Sequence, residues 1–149
     1  MPQQHMSFDS KGLSLQAVFE YPESEDKVPG VVICHPSPRF GGDMASSVVV
    51  GVSKKLNAAG IATLRFNFRG VGASEGTHDK GDGEVDDALA ALAALELEDV
   101  VDPSRIGIAG YSFGASMALQ AVLESSSALA VFSVACPIGA LRVLSSREI

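Results

Sequence analysis

The chain has 149 residues, 46% apolar and 19% charged, which suits one globular domain with a real core and excludes a disordered chain. Its net charge is −7 and its isoelectric point near 4.8, which argues against nucleic acid and anionic membrane surfaces as partners. Cys34 and Cys136 make no disulfide framework, no apolar run approaches the ~20 residues of a membrane span, and no secretory apolar segment opens the chain, so a reducing cytoplasm is the expected location.

Leu13 to Tyr21 reads as a strand or tight hairpin, followed by a charged turn from Pro22 to Pro29. Val31 to Cys34 is short, β-branched and apolar on both faces, as a buried parallel strand should be. His35 to Asp43 is a Pro/Gly loop. Met44 to Ala59 predicts a helix, with Asp43 as N-cap, Val48, Val52 and Leu56 at helical spacing, and Gly60 as its stop. Ile61 to Phe68 predicts a strand with Thr63, Arg65 and Asn67 pointing outward. A Gly-rich loop covers Arg69 to Asp82. Gly83 to Glu98 predicts a helix with an acidic first turn and a stripe of Val85, Leu89, Leu92 and Leu95. Arg105 to Ala109 is a buried strand and Ala115 to Leu123 a helix. Ala128 to Cys136 is a last strand, stopped by Pro137. Strands alternating with helices give an α/β fold: a doubly wound, mostly parallel sheet with helices on both faces and right-handed crossovers.

Between the Arg105 strand and the Ala115 helix lies Gly110-Tyr111-Ser112-Phe113-Gly114. A G-x-S-x-G pentapeptide in a strand–turn–helix setting is the signature of a nucleophile elbow, which presents a serine hydroxyl clear of the sheet. Ser112 is the candidate nucleophile. The Phe113 N–H, at the start of the helix, is one candidate oxyanion donor. The second donor comes from the loop after the neighbouring strand. Pro36 has no N–H, so Ser37 or a later residue must donate, and Ser37 is the chosen candidate. Arg39 in the same loop reads as a solvated arginine or as an anchor for an anionic substrate group.

The Arg69 to Gly76 loop tempts a dinucleotide reading, because Gly70 and Gly72 match the first two glycines of G-x-G-x-x-G. Glu75 occupies the third position and the helix starts late, near Gly83, so no helix N-terminus meets a pyrophosphate.

Three stretches together resemble a known group. His35-Pro36-Ser37-Pro38 with Gly41, Gly42 and Met44 is one. Phe66-Asn67-Phe68-Arg69-Gly70-Val71-Gly72 with Ser74 and Gly76 is the second. The pentapeptide is the third. The chain resembles small α/β-hydrolases of the dienelactone-hydrolase-like group, from about Leu13 to Ile138. One departure is Ser37, where relatives often carry histidine. The resemblance implies hydrolysis of a small-molecule acyl ester, with Ser112 as nucleophile, no cofactor and no metal. It also implies one α/β-hydrolase domain over residues 1–149 that lacks the C-terminal strand–helix units of the fold.

In that fold the triad runs serine, acid, histidine along the chain. All three histidines, His5, His35 and His78, precede Ser112, and the only later acids are Glu124 and Glu148. Loss of the base from a working triad costs on the order of 10⁶ in kcat. His35, at the end of the strand beside the elbow strand, is either loop structure or a surrogate base. The strand from Leu129 to Cys136 is expected at a sheet edge, open to a second copy or a complementing chain. Two functions therefore compete at this level: a serine ester hydrolase, and a non-catalytic fragment or interaction module.

Overall fold

The computed structural model describes residues 2–137. Six strands form one sheet in the order β1-β2-β4-β3-β5-β6. They are β1 (Gln3–Ser10), β2 (Leu13–Glu20), β3 (Val28–Cys34), β4 (Ala62–Phe66), β5 (Val101–Tyr111) and β6 (Ala128–Val134). Strands β3, β4, β5 and β6 run parallel, and β1 and β2 add as an antiparallel hairpin. Three helices cross over between them: α1 (Ser47–Ala58), α2 (Asp82–Glu96) and α3 (Phe113–Glu124).

The hairpin exceeds the sequence expectation. Lys11 and Gly12, both at positive φ (46° and 89°), make the two-residue turn that matches the strand twist. Met6 and Phe8 of β1 pack on the core while Gln3, Gln4, His5, Ser7 and Asp9 face water.

Helices α2 and α3 pack side by side on one face of the sheet, and α1 covers the other. The core lies under α2 and α3. Val32, Leu64, Phe66 and Ile108 of the central strands meet Leu92 and Leu95 of α2 and Met117 of α3 there. Cys34 is buried in this layer, and burial pushes its thiol well above the usual range, so it stays protonated.

The expected outward polar face of β4 is corrected by the structure. Thr63, Arg65 and Asn67 are all buried. Each has a partner: Ser53 of α1 lies 2.6 Å from the Thr63 hydroxyl, and Arg65 reaches Glu20 (3.1 Å) and the Met44 carbonyl (3.0 Å). Asn67 accepts the Met44 N–H at 2.8 Å and donates to Gln16 at 2.8 Å. The α1 layer is thus held partly by a satisfied polar interface, the condition under which polar groups can be buried. Asp43 does not cap α1 either. Its carboxylate accepts from Ala45 (2.8 Å), a turn before the helix, and Ser46 is the N-cap.

Candidate active site

Strand β5 ends at Tyr111 and α3 begins at Phe113, so one residue, Ser112, makes the whole turn. Its backbone sits at φ 55°, ψ −115°, the mirror image of extended backbone and costly for any residue with a Cβ. What forces the turn is close packing around it. A Cβ on Gly110 would overlap the Gly114 carbonyl group, and a Cβ on Gly114 would overlap the Cys34 and His35 carbonyls. Both glycines are therefore demanded by backbone approaching backbone.

The Ser112 N–H pairs with the Val134 carbonyl at 2.9 Å, which ties the turn to β6. Its carbonyl accepts from Ala115 and Ser116 and so starts α3. The Phe113 N–H finds no acceptor among the described residues, as expected at a helix's first turn.

Ser37 follows β3. Its carbonyl accepts the N–H groups of Phe40 (3.2 Å) and Gly42 (2.9 Å), and its hydroxyl that of Arg39 (3.2 Å), which folds Pro38–Phe40 into a tight turn. Ser37, Ser112 and Phe113 line one cavity of about 420 Å³. Phe40, 93% exposed, stands at its wall, and Met117 adds further apolar lining. Lys80, Asp82, Ser116 and Gln120 supply polar groups. Arg39 is exposed and does not line this space.

Sequence reasoning missed Lys80, Asp82, Ser116 and Gln120. The last two carry a readable signal, since Ser112, Ser116 and Gln120 recur every four residues on one face of α3. Lys80 and Asp82 arrive by a long-range device. The Arg69 guanidinium grips the Asp87 carboxylate of α2 (Nη2–Oδ1 2.7 Å, Nε–Oδ2 3.1 Å). Asp87 also accepts the Arg69 N–H (3.0 Å) and the Ser10 hydroxyl (2.7 Å). Glu84, fully buried, accepts the N–H groups of Asp79 (2.9 Å) and Gly81 (3.0 Å). The loop from Arg69 to Gly81 is thereby fastened to α2, and its end faces Ser112.

The histidines are otherwise engaged. His35 is fully buried; its Nε2 accepts the Phe68 N–H at 3.1 Å, and its Nδ1 lies 2.6 Å from the Pro36 carbonyl, to which it donates. Both ring nitrogens are used, so His35 is a joint between two loops and not a base. Burial holds its pKa below the ordinary 6.5, against the opposing pull of the Pro36 carbonyl and Asp43. His78 is half-buried. It packs 5.7 Å from the Phe113 ring, with Nδ1 3.0 Å from Glu84 Oε2 but off the line of a hydrogen bond. His5 is exposed on β1, the far edge of the sheet. Glu124 is exposed at the opposite end of α3 from Ser112, and Glu148 lies outside the described residues.

A mixed six-stranded sheet, helices on both faces and a serine at a strained strand-to-helix turn define an α/β serine hydrolase fold. Residues 51–147 match the prolyl oligopeptidase family, and the chain belongs to it. Among solved structures it is similar to an α/β serine hydrolase homologue from Coxiella burnetii. The two are 36% identical at a TM-score of 0.81, over 91% of this chain and 64% of the other. It is also similar to Est1E from Butyrivibrio proteoclasticus, solved with ferulic acid bound (26% identity, TM-score 0.79, 97% of this chain and 57% of that one). An uncharacterized Rickettsia prowazekii protein is 44% identical over 96 residues, 64% of this chain. The chain spans 40% of that relative's length. Among the described residues no helix is long and apolar enough to cross a membrane.

Proposed function

We propose that Ser112 is the nucleophile of a serine hydrolase that cleaves small carboxylic esters. The observation that carries this reading is the Ser112 backbone, held at φ 55° beside a cavity that Ser37 and Phe113 also line. A strained turn kept at a site with no packing need for a serine hydroxyl is best explained by use of that hydroxyl.

In the proposed reaction Ser112 Oγ adds to the ester carbonyl while its proton passes to a base. The carbonyl oxygen, now an anion, accepts hydrogen bonds from the Phe113 and Ser37 N–H groups. The intermediate collapses, the C–O bond to the alcohol breaks, and the alcohol leaves with a proton. Water then repeats the attack on the acyl-serine and frees the acid. We read the base and its acid partner as belonging to polypeptide of the kind the longer relatives carry, because His35 has no free nitrogen. The chemistry of the cavity favours small acyl groups: Phe40, Phe113 and Met117 offer apolar contact beside a few polar groups. Est1E, with ferulic acid bound, is a relative that takes a carboxylic acid. A dienelactone-hydrolase-like activity and a cytoplasmic location complete the proposal.

The test compares p-nitrophenyl butyrate with a p-nitroanilide amide of the same acid, for the parent and Ser112→Ala, each with imidazole added to supply the base. Ester cleavage above the Ser112→Ala rate, and slower amide cleavage, is expected. Equal ester rates for the two proteins overturn the proposal and favour the non-catalytic module. Amide cleavage as fast as ester cleavage overturns the ester assignment.

A further inference from the structure

The turn that brings Lys80 and Asp82 to the Ser112 cavity is firmly held. Lys80 sits at φ 55° and Gly81 at φ 100°. Glu84, fully buried, accepts the N–H groups on either side of Lys80, those of Asp79 (2.9 Å) and Gly81 (3.0 Å). The Asp79 carboxylate accepts the Gly83 N–H at 2.9 Å. Gly81 is pressed against α3: a Cβ there would lie 3.2 Å from the Met117 methyl. Lys80 and Asp82 therefore stand at fixed places beside that helix.

A lysine at positive φ is uncommon, since glycine, asparagine and aspartate enter that region most readily. Lys11 is the other lysine held so, and its Nζ closes an ion pair with Asp86 at 3.1 Å. The Lys80 ammonium makes no ion pair or hydrogen bond among the described residues, and neither does the Asp82 carboxylate. One cation and one anion thus line the same space, each with hydrogen-bonding capacity unused. Ser116 and Gln120 of α3 line it too. The Gln120 amide donates to Ser116 Oγ at 3.3 Å, which leaves the Ser116 proton, the second Gln120 amide proton and the Gln120 carbonyl open. Phe40, 93% exposed, presents a bare ring at the rim.

These groups select among ligand classes. A carboxylate or phosphate satisfies Lys80 but meets the Asp82 charge, and an ammonium group does the reverse. A hydroxyl both accepts and donates, so neighbouring hydroxyls of one neutral molecule accept from Lys80 and donate to Asp82 at once. Hydrogen bonds to charged partners are the strong ones. The negative π-face of Phe40 suits the C–H face of a saturated ring. A small acyl group at Ser112 fills only part of a cavity of about 420 Å³, so the polar side is left to the alcohol.

We propose that the substrate is an ester of a neutral polyol, of the kind a sugar ring presents, with its hydroxyls held between Lys80 and Asp82 and against Ser116 and Gln120. This rests on the reading of the cavity as the site of ester cleavage. Ser112 Oγ bonds to the acyl carbon, the bond from that carbon to the polyol oxygen breaks, and the polyol leaves with the proton that completes its hydroxyl.

The test measures binding to the Ser112→Ala chain by NMR titration, so nothing in it depends on turnover. Three ligands are compared: methyl 6-O-acetyl-glucoside, cyclohexylmethyl acetate, which keeps the ring without the hydroxyls, and monomethyl succinate, which carries a carboxylate. The sugar ester is expected to bind most tightly. Lys80→Met and Asp82→Ala change exposed, unbonded side chains, so the fold is kept. Each should weaken the sugar ester about tenfold and leave cyclohexylmethyl acetate unchanged. No saturation by the sugar ester at about 10 mM, equal or tighter binding of cyclohexylmethyl acetate, or sugar-ester binding indifferent to either variant would overturn the proposal. Tighter binding of monomethyl succinate, strengthened by Asp82→Ala, would overturn it in favour of an anion site. Failure of Ser112 as nucleophile reads differently: no covalent labelling of Ser112, with the preference for the sugar ester intact.

Discussion

The Phe68 N–H donates to Nε2 of the buried His35 imidazole across 3.1 Å, and the two rings sit edge to face at 4.8 Å. One histidine therefore locks the loop after β3 to the chain after β4, and those two loops flank the site.

That bond requires a neutral ring, so it sets a pH dependence. Unfolded, the ring titrates near 6.5; folded, burial holds its pKa lower. Between the two values the unfolded chain holds more protons, so stability is complete above 6.5 and is lost as pH falls through the folded value. Urea denaturation from pH 7.5 down to 5 should show this decline. His35→Ala should flatten it and lower stability at pH 7.5 by about 1–3 kcal/mol, the cost of an orphaned buried N–H. It should leave esterolysis per folded molecule unchanged, because His35 is not the base.

Asp87 is fully buried and takes three hydrogen bonds from the Arg69 guanidinium, together with those from the Arg69 N–H and the Ser10 hydroxyl, counting each contacting pair. Asp87→Ala would strand a mostly buried guanidinium. Equilibrium unfolding should show a loss of about 3–5 kcal/mol. The loop that carries Lys80 to the site should also become more open to proteolysis.

The Ser112 backbone predicts an inverted ranking of two small residues. At an ordinary helix-proximal position alanine is more stable than glycine. At φ 55°, ψ −115° glycine escapes a Cβ clash worth about 1–3 kcal/mol. Ser112→Gly should therefore unfold at higher urea than Ser112→Ala, and the reverse order would mean the turn is unstrained.

Two glycines separate packing from propensity. Gly114→Ala drives a methyl into the Cys34 and His35 carbonyls and should cost about 1–3 kcal/mol or more. Gly51→Ala enters open space in a helix and should stabilise the chain by about 0.5–1 kcal/mol.

The parts of this molecule that were legible in its sequence are the locally determined ones. Strands β3 and β5 are apolar on both faces, and the Gly110–Gly114 turn carries its own chemistry, so Ser112, Phe113 and the neighbouring Ser37 loop could be named together. Strand β1 was hidden because only Met6 and Phe8 mark its inner face among polar neighbours. Thr63, Arg65 and Asn67 read as outward because alternation treats polar as solvated, while their partners Ser53, Glu20 and Gln16 lie far off in the chain or on another element. Lys80 and Asp82 reach the cavity through the Arg69–Asp87 clamp, a contact 18 residues apart that no periodicity encodes.

The central claim is the nucleophilic character of Ser112, and covalent labelling reads it without the need for turnover. The chain is incubated with a fluorophosphonate, with imidazole added to supply the base, and the adduct is located by peptide mass mapping. The account predicts one adduct, on Ser112, absent from Ser112→Ala. No adduct above the Ser112→Ala control, or one carried by Ser37 or Ser116 instead, would contradict it.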